Sequence, residues 1–186
     1  MNINNNNIEE KIKIILNLYN AANFDLVISK TKIIIKKFPE YVVLYNLLGS
    51  AYQNLRKFGF AKETFSKGLK LDPGNIAMMN NLANTLKQLG NFNEAENLFL
   101  KIIDKKPNYI NAYVNYGNLK RDFNDFKSAI ELYEKALKIN DQIPLILYSL
   151  ALAHQGLGNF NEAINFAEKV LLLDLKFTQA DMLISQ

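Results

Sequence analysis

The chain has 186 residues, 49% hydrophobic and 22% charged, an ordinary globular composition with enough apolar side chain for one continuous core. Its formal net charge is +4, from 22 Lys and Arg against 18 Asp and Glu; this is mildly basic, and nucleic acid is not expected as the partner of so small an excess. Cysteine is absent, which excludes disulfides and thiolate metal sites and fits a reducing, cytoplasmic compartment. No apolar run approaches the roughly 18 residues of a membrane span, and MNINNNN lacks the basic and apolar regions of a secretory signal, so neither membrane insertion nor export is expected.

Residues 1–7 are polar and Asn-rich and read as a disordered lead-in. From there one pattern repeats. Phe24, Phe58, Phe92, Phe126 and Phe160 stand at a constant, ungapped spacing of 34 residues. The spacing divides the chain into repeats 8–41, 42–75, 76–109, 110–143 and 144–177, each predicted as two amphipathic helices, A and B, joined by a turn. The first repeat is the least regular, with Ile15 and Val27 where the others have Gly or Ala. In the second, helix A carries Tyr45, Leu48, Gly49 and Tyr52, and helix B carries Phe58, Ala61, Phe65 and Leu69. The fourth has Tyr113, Tyr116 and Gly117, then Phe126, Ala129 and Tyr133. The fifth has Leu147, Leu150 and Ala151, then Phe160, Ala163 and Ala167. Residues 178–186 begin a further or capping helix. Its Ala180, Met182, Leu183 and Ile184 form an apolar end, so either more chain covers this end or two copies associate through it.

Small residues recur at Gly49, Ala83, Gly117 and Ala151 in helix A and at Ala61, Ala95, Ala129 and Ala163 in helix B. They let the paired helices approach closely while larger apolar groups fill the surrounding space. Asn91–Glu94 and Asn159–Glu162 place an N-cap residue three positions before a Glu, close to a capping box, and Asn23 is expected to cap the second helix in the same way. Gly90 and Gly158 suit the end of helix A. Pro39, Pro73 and Pro107 stop helix B, and Pro144 suits the first turn of the next helix.

The run Tyr45, Leu48, Gly49, Tyr52, Ala61, Phe65 and Pro73 resembles the tetratricopeptide repeat, and the match extends over nearly the whole chain. Departures are local: Asp141 and Leu175 replace the terminal Pro, and Lys120 and His154 replace the second aromatic of helix A. The pentatricopeptide repeat, the nucleic-acid-binding alternative, has a period one residue longer. The resemblance implies an all-α, right-handed α-solenoid of five repeats plus a partial C-terminal helix, with the A helices lining a concave groove. It also implies a non-catalytic scaffold that binds a protein or extended peptide. An alternative is the N-terminal part of a larger sulfotransferase or O-GlcNAc-type glycosyltransferase, since the GNFNEA turns look like those ahead of such domains.

No catalytic constellation, metal-ligand set or cofactor motif is read. His154 lies on an apolar stripe with Leu147, Leu150 and Ala151 and reads as a packed or half-buried structural histidine. Gly156-Leu157-Gly158 reads as a helix end, because it lacks the strand and the Gly-Lys-Ser/Thr of a phosphate loop. The residues with functional content lie on helix A. Asn111, Asn115, Asn118 and Asp122, spaced four, three and four apart, share one helix face. Ala77, Asn81, Asn84 and Gln88 are their equivalents one repeat earlier. A carboxamide donates and accepts together, so it can pair with a peptide backbone whatever side chains that peptide carries. Asn81 and Asn115 resemble the asparagine ladder of O-GlcNAc transferases. The expected groove comprises these residues with Asn46, Ser50, Lys87, Arg121 and Tyr148. The carboxylate clamp of chaperone-binding relatives is not expected, because Asn46, Ser50, Asn81, Asn111 and Asn115 occupy its positions and none is a cation.

Overall fold

A computed structural model of the chain describes residues 3–184, with side chains from Ile8 onward except at Asp181. Eleven helices and no strand occur among the described residues. They are α1 (Ile3–Asn20), α2 (Phe24–Lys37), α3 (Val42–Asn54), α4 (Phe58–Leu71), α5 (Ile76–Gln88), α6 (Phe92–Lys105), α7 (Ile110–Asp122), α8 (Phe126–Ile139), α9 (Pro144–Gly156), α10 (Phe160–Leu173) and α11 (Thr178–Ile184). Odd-numbered helices from α1 to α9 are helix A of each repeat, and even-numbered ones are helix B. The start of α1 at Ile3 corrects the expectation of a disordered lead-in for its residues 3–7. The Asn run contains neither Gly nor Pro, so a helix nucleated on the apolar stripe beyond it propagates backwards at small cost per residue. Residues 1–2 lie outside the described residues.

The chain divides into two compact units, residues 1–95 and 96–186, the division falling inside α6. In the first unit α1 to α5 pack in sequence, and α3 also touches α1 and α5. In the second, α7 to α11 pack in sequence, and α7 also touches α9.

The helix pairs are held by a match of sizes. A methyl group added at Gly49 would fall against the ring of the fully buried Phe65, and one added at Gly117 against the ring of the fully buried Tyr133. In the first repeat the equivalent positions are Ile15 and Thr31, both fully buried: the larger residue has moved to helix A and the smaller to helix B. In the fifth both are alanine, Ala151 and Ala167, and the core there is completed by Leu147, Val170, Ala180 and Leu183. Gly68 repeats the device between successive pairs, where a methyl would meet Met78 and Tyr45.

The turn inside each pair is one backbone motif used five times. Ala22, Arg56, Gly90, Asn124 and Gly158 all have positive φ, between 55° and 79°. In each, the positive-φ residue donates its N–H to the carbonyl three residues back, and the next N–H reaches the carbonyl five back, at 2.8–3.1 Å. This satisfies the carbonyls left over at the end of helix A. The expected Asn caps are corrected in part. Asn23 and Asn159 make no side-chain bond to their helices, and Asn91 donates its Nδ2 to Glu94 at 3.1 Å. The tight turn holds the cap residue at ψ near 65°, where a side-chain oxygen only just reaches. Asp125, at ψ 66°, caps Ser128 at 3.3 Å, whereas Asn75, at ψ 94°, caps Met78 at 3.0 Å. A second link crosses from helix A to the preceding loop: the Tyr45 hydroxyl donates to the Pro39 carbonyl and the Tyr113 hydroxyl to the Pro107 carbonyl, both at 2.9 Å.

Two outcomes in urea denaturation follow. Gly117→Ala overpacks the Tyr133 contact and should destabilise the chain by about 1–3 kcal/mol. Arg56→Gly relieves a left-handed residue that carries a side chain and should stabilise it by about 0.5–1 kcal/mol, the strain relief being partly offset by a more flexible unfolded chain.

Candidate binding face

In the first unit the carboxamides of helix A meet across the repeat. The Nδ2 of Asn81 on α5 donates to the Oδ1 of Asn46 on α3 at 3.1 Å, and both residues are half-buried. Gln53 supports the same junction, donating Nε2 to the Asn81 carbonyl at 2.9 Å and to the Thr85 hydroxyl at 2.8 Å. Asn54 donates to the Ser50 carbonyl at 2.9 Å and to the Tyr19 hydroxyl at 3.0 Å. Asn84 and Lys87 are half-buried, and Gln88 is exposed. Gln53 is a member that the sequence reading missed. A signal for it existed, since 53 lies one helical turn beyond Ser50 and two beyond Asn46, but its partners lie 28 and 32 residues away, beyond any local spacing rule.

In the second unit the equivalent residues are put to different use. Asn118 accepts a hydrogen bond from the Tyr133 hydroxyl at 2.8 Å, so it serves the helix-pair core as well as the face. Burial pushes the pKa of that hydroxyl up to about 12. Asn115 and Arg121 are half-buried, while Asn111 and Asp122 are exposed. Tyr148 is half-buried and packs against Phe177, with ring centroids 5.1 Å apart and planes tilted by 56°.

A charged cluster in this unit was not foreseen. Lys120 bonds Glu96 at 2.9 Å, the Tyr116 hydroxyl donates to the same carboxylate, and the Lys120 ammonium lies 5.2 Å from the Tyr116 ring centroid. The departure of Lys120 from the aromatic pattern was the available clue. The bonds from Lys120, then from Tyr116, hold the Glu96 carboxyl below its ordinary value. The bond to Glu96 raises Lys120. Burial, then the Glu96 bond, raises Tyr116. His154, at the position equivalent to Lys120, is half-buried and stacks on Phe166 with centroids 5.4 Å apart, as the apolar stripe led one to expect.

At the C-terminal end Ala180 and Leu183 are buried, Ile184 is half-buried, and Leu172, Leu175 and Met182 are exposed. No group of three or more His, Cys, Asp or Glu able to hold a metal occurs among the described residues, and no helix among them is long and apolar enough to cross a membrane.

Helix pairs that recur at one 34-residue interval, each closed by the same left-handed turn, define the α-solenoid class of repeat protein. Family profiles described as tetratricopeptide repeat match residues 42–75, 75–142 and 121–186, and the chain belongs to the tetratricopeptide repeat family. Among solved structures it is similar to TTC0263, a thermophilic tetratricopeptide protein of Thermus thermophilus. The TM-score is 0.81 at 16% identity, covering 95% of this chain and 96% of that one. It is also similar to MamA, with TM-score 0.72 and 23% identity over 92% and 93% of the two chains. YrrB, a tetratricopeptide protein whose structure is reported with an unusual peptide-binding site, gives TM-score 0.70 and 14% identity over 95% and 91%. At these identities the likeness is one of fold. Comparison with curated proteins gives no match.

The Glu96–Lys120 bridge yields a checkable energy. In a double-mutant cycle of Glu96→Gln and Lys120→Met, the coupling at neutral pH should be about 1 kcal/mol, because the pair is only partly shielded from water. Its lowered carboxyl makes this contribution complete above the ordinary value of 4.5, and the contribution is lost as pH falls from there through the lower folded-state value. The raised ammonium keeps the contribution complete below the ordinary value of 10.5, and it is lost as pH rises from there through the raised folded-state value.

Proposed function

We propose that the chain is a non-catalytic scaffold that holds an extended peptide, or an extended segment of a partner, along the A-helix face of the repeats within a unit. The supporting observation is the Asn46–Asn81 carboxamide pair, which joins adjacent A helices at a half-exposed depth. That bond uses one N–H of Asn81 and one acceptor site on Asn46. Each amide keeps further hydrogen-bonding capacity that a peptide backbone can use. Asn115 offers the same chemistry in the second unit, with Asn111 beside it and Arg121 available to an acidic residue. The peptide-binding site reported for YrrB, on the same fold, supports the same class of ligand.

A net hydrogen bond contributes about 0.5–1.5 kcal/mol, so a few carboxamides give sequence-tolerant binding in the micromolar range or weaker, about −8 kcal/mol or less in magnitude. Asn81→Ala combined with Asn115→Ala should weaken peptide-array binding about tenfold, the loss of one or two such bonds. Helical content and urea midpoint should change little, since these residues lie at the surface of their pairs. Unchanged affinity in a fluorescence titration of the double variant would remove the Asn face from the binding site.

A further inference from the structure

The lysines of the first unit are not spread evenly. Helices α2 and α4 together hold seven lysines and two carboxylates, Asp25 and Glu63, an excess of five positive charges where the whole chain carries +4. These are the B helices of the first two repeats. Between them lies a groove of about 350 Å³. Its floor is helix α3, which turns Tyr45, Leu48 and Tyr52 toward it and carries Asn46, Ser50 and Asn54 on its opposite face. The walls carry two exposed apolar side chains, Ile33 at 59% and Phe60 at 58%. Phe60 stacks on Tyr52 with centroids 5.3 Å apart and an interplanar angle of 26°, and the Lys32 ammonium sits 5.6 Å from the Tyr52 ring centroid. Lys36 and Lys67 complete the rim, and neither is engaged in an ion pair among the described residues.

We infer that this groove is a second docking surface, on the side of the helix pairs away from the carboxamide face, and that it takes an acidic segment of a partner protein carrying an aromatic or aliphatic side chain. That side chain enters between Ile33 and Phe60, where burial of apolar surface provides the anchor. The flanking carboxylates meet Lys32, Lys36 and Lys67, where a net positive rim favours them and speeds encounter. Glu63 stands in the same groove, leaving the rim with a net excess of positive charge, and its carboxylate can accept a hydrogen bond from a peptide N–H. The groove two repeats later, about 390 Å³ and bounded by Tyr113, Tyr116, Glu131 and Lys135, has the same plan. There Lys120 is already bonded to Glu96, and a lysine equivalent to Lys36 is absent because Asp104 occupies that position, so the first-unit groove is the one that prefers an acidic ligand.

The test uses the full chain, isotopically labelled, and a synthetic peptide of a dozen residues, Asp and Glu around one central phenylalanine. Saturable amide shifts should appear in α2 and α4. Affinity should fall about tenfold in Lys36→Glu with Lys67→Glu, and about as far for the wild-type chain when alanine replaces the peptide's phenylalanine. Both lysines are exposed, so the charge-reversed chain should keep its circular dichroism, and the peptide-side substitution needs no folded variant at all. Asn81→Ala should leave this affinity unchanged, which separates a failure here from a failure of the carboxamide face. The proposal is overturned by equal affinity in the charge-reversed chain, by shifts confined to α3 and α5, or by tighter binding of an oligouridylate of similar length than of the acidic peptide.

Discussion

Each repeat depends on the close approach of its two helices at a residue without a bulky side chain. At Gly49 and Gly117 the missing Cβ is the space that the rings of Phe65 and Tyr133 fill. The ring is therefore part of the contact that fixes the pair, and the small residue and the large one make a single unit of information. The first repeat shows the principle in reverse, with Ile15 and Thr31 exchanging the roles of large and small while both remain fully buried. Interiors tolerate such exchange because total volume, more than the identity of either partner, sets the packing density.

Once the pair is fixed, the turn that closes it has little freedom. The last turn of helix A must release carbonyls that only a left-handed residue lets the following N–H groups reach. Five positions at a constant interval adopt that conformation although only two of them are glycine. The backbone bonds and the packed pair together hold Ala22, Arg56 and Asn124 in a region that an isolated chain would avoid. The same turn places the N-cap residue at the edge of side-chain reach, which is why asparagines at an N-cap position contribute backbone geometry more than capping bonds. Stability here comes from repetition of a local unit, and each repeat relies on its neighbours to cover its apolar sides.

The two faces of a helix pair offer different chemistry. The A-helix side of the first unit presents the carboxamides of Asn46 and Asn81. The B-helix side of the first unit presents a cationic groove floored by tyrosines. The two proposed partners would not compete, because α3 carries the two sets of side chains on opposite sides of one helix.

Much of the fold was legible in the sequence. The ungapped recurrence of Phe24 through Phe160, the alternating small residues and the loop prolines set the number of helix pairs and their boundaries, because a helix start, a helix stop and a close contact are each determined by residues near one another in the chain. The candidate site was legible only as a set of positions. That Asn46 meets Asn81, that Asn118 is bonded to the hydroxyl of Tyr133, and that Lys120 finds Glu96 all depend on partners 15 to 35 residues away. Helical period places a side chain on a face, but only packing decides which neighbouring helix that face meets. The same holds for charge. A net of +4 described the chain as mildly basic, and the tertiary structure gathered the excess onto α2 and α4 by setting two B helices side by side around a shared floor.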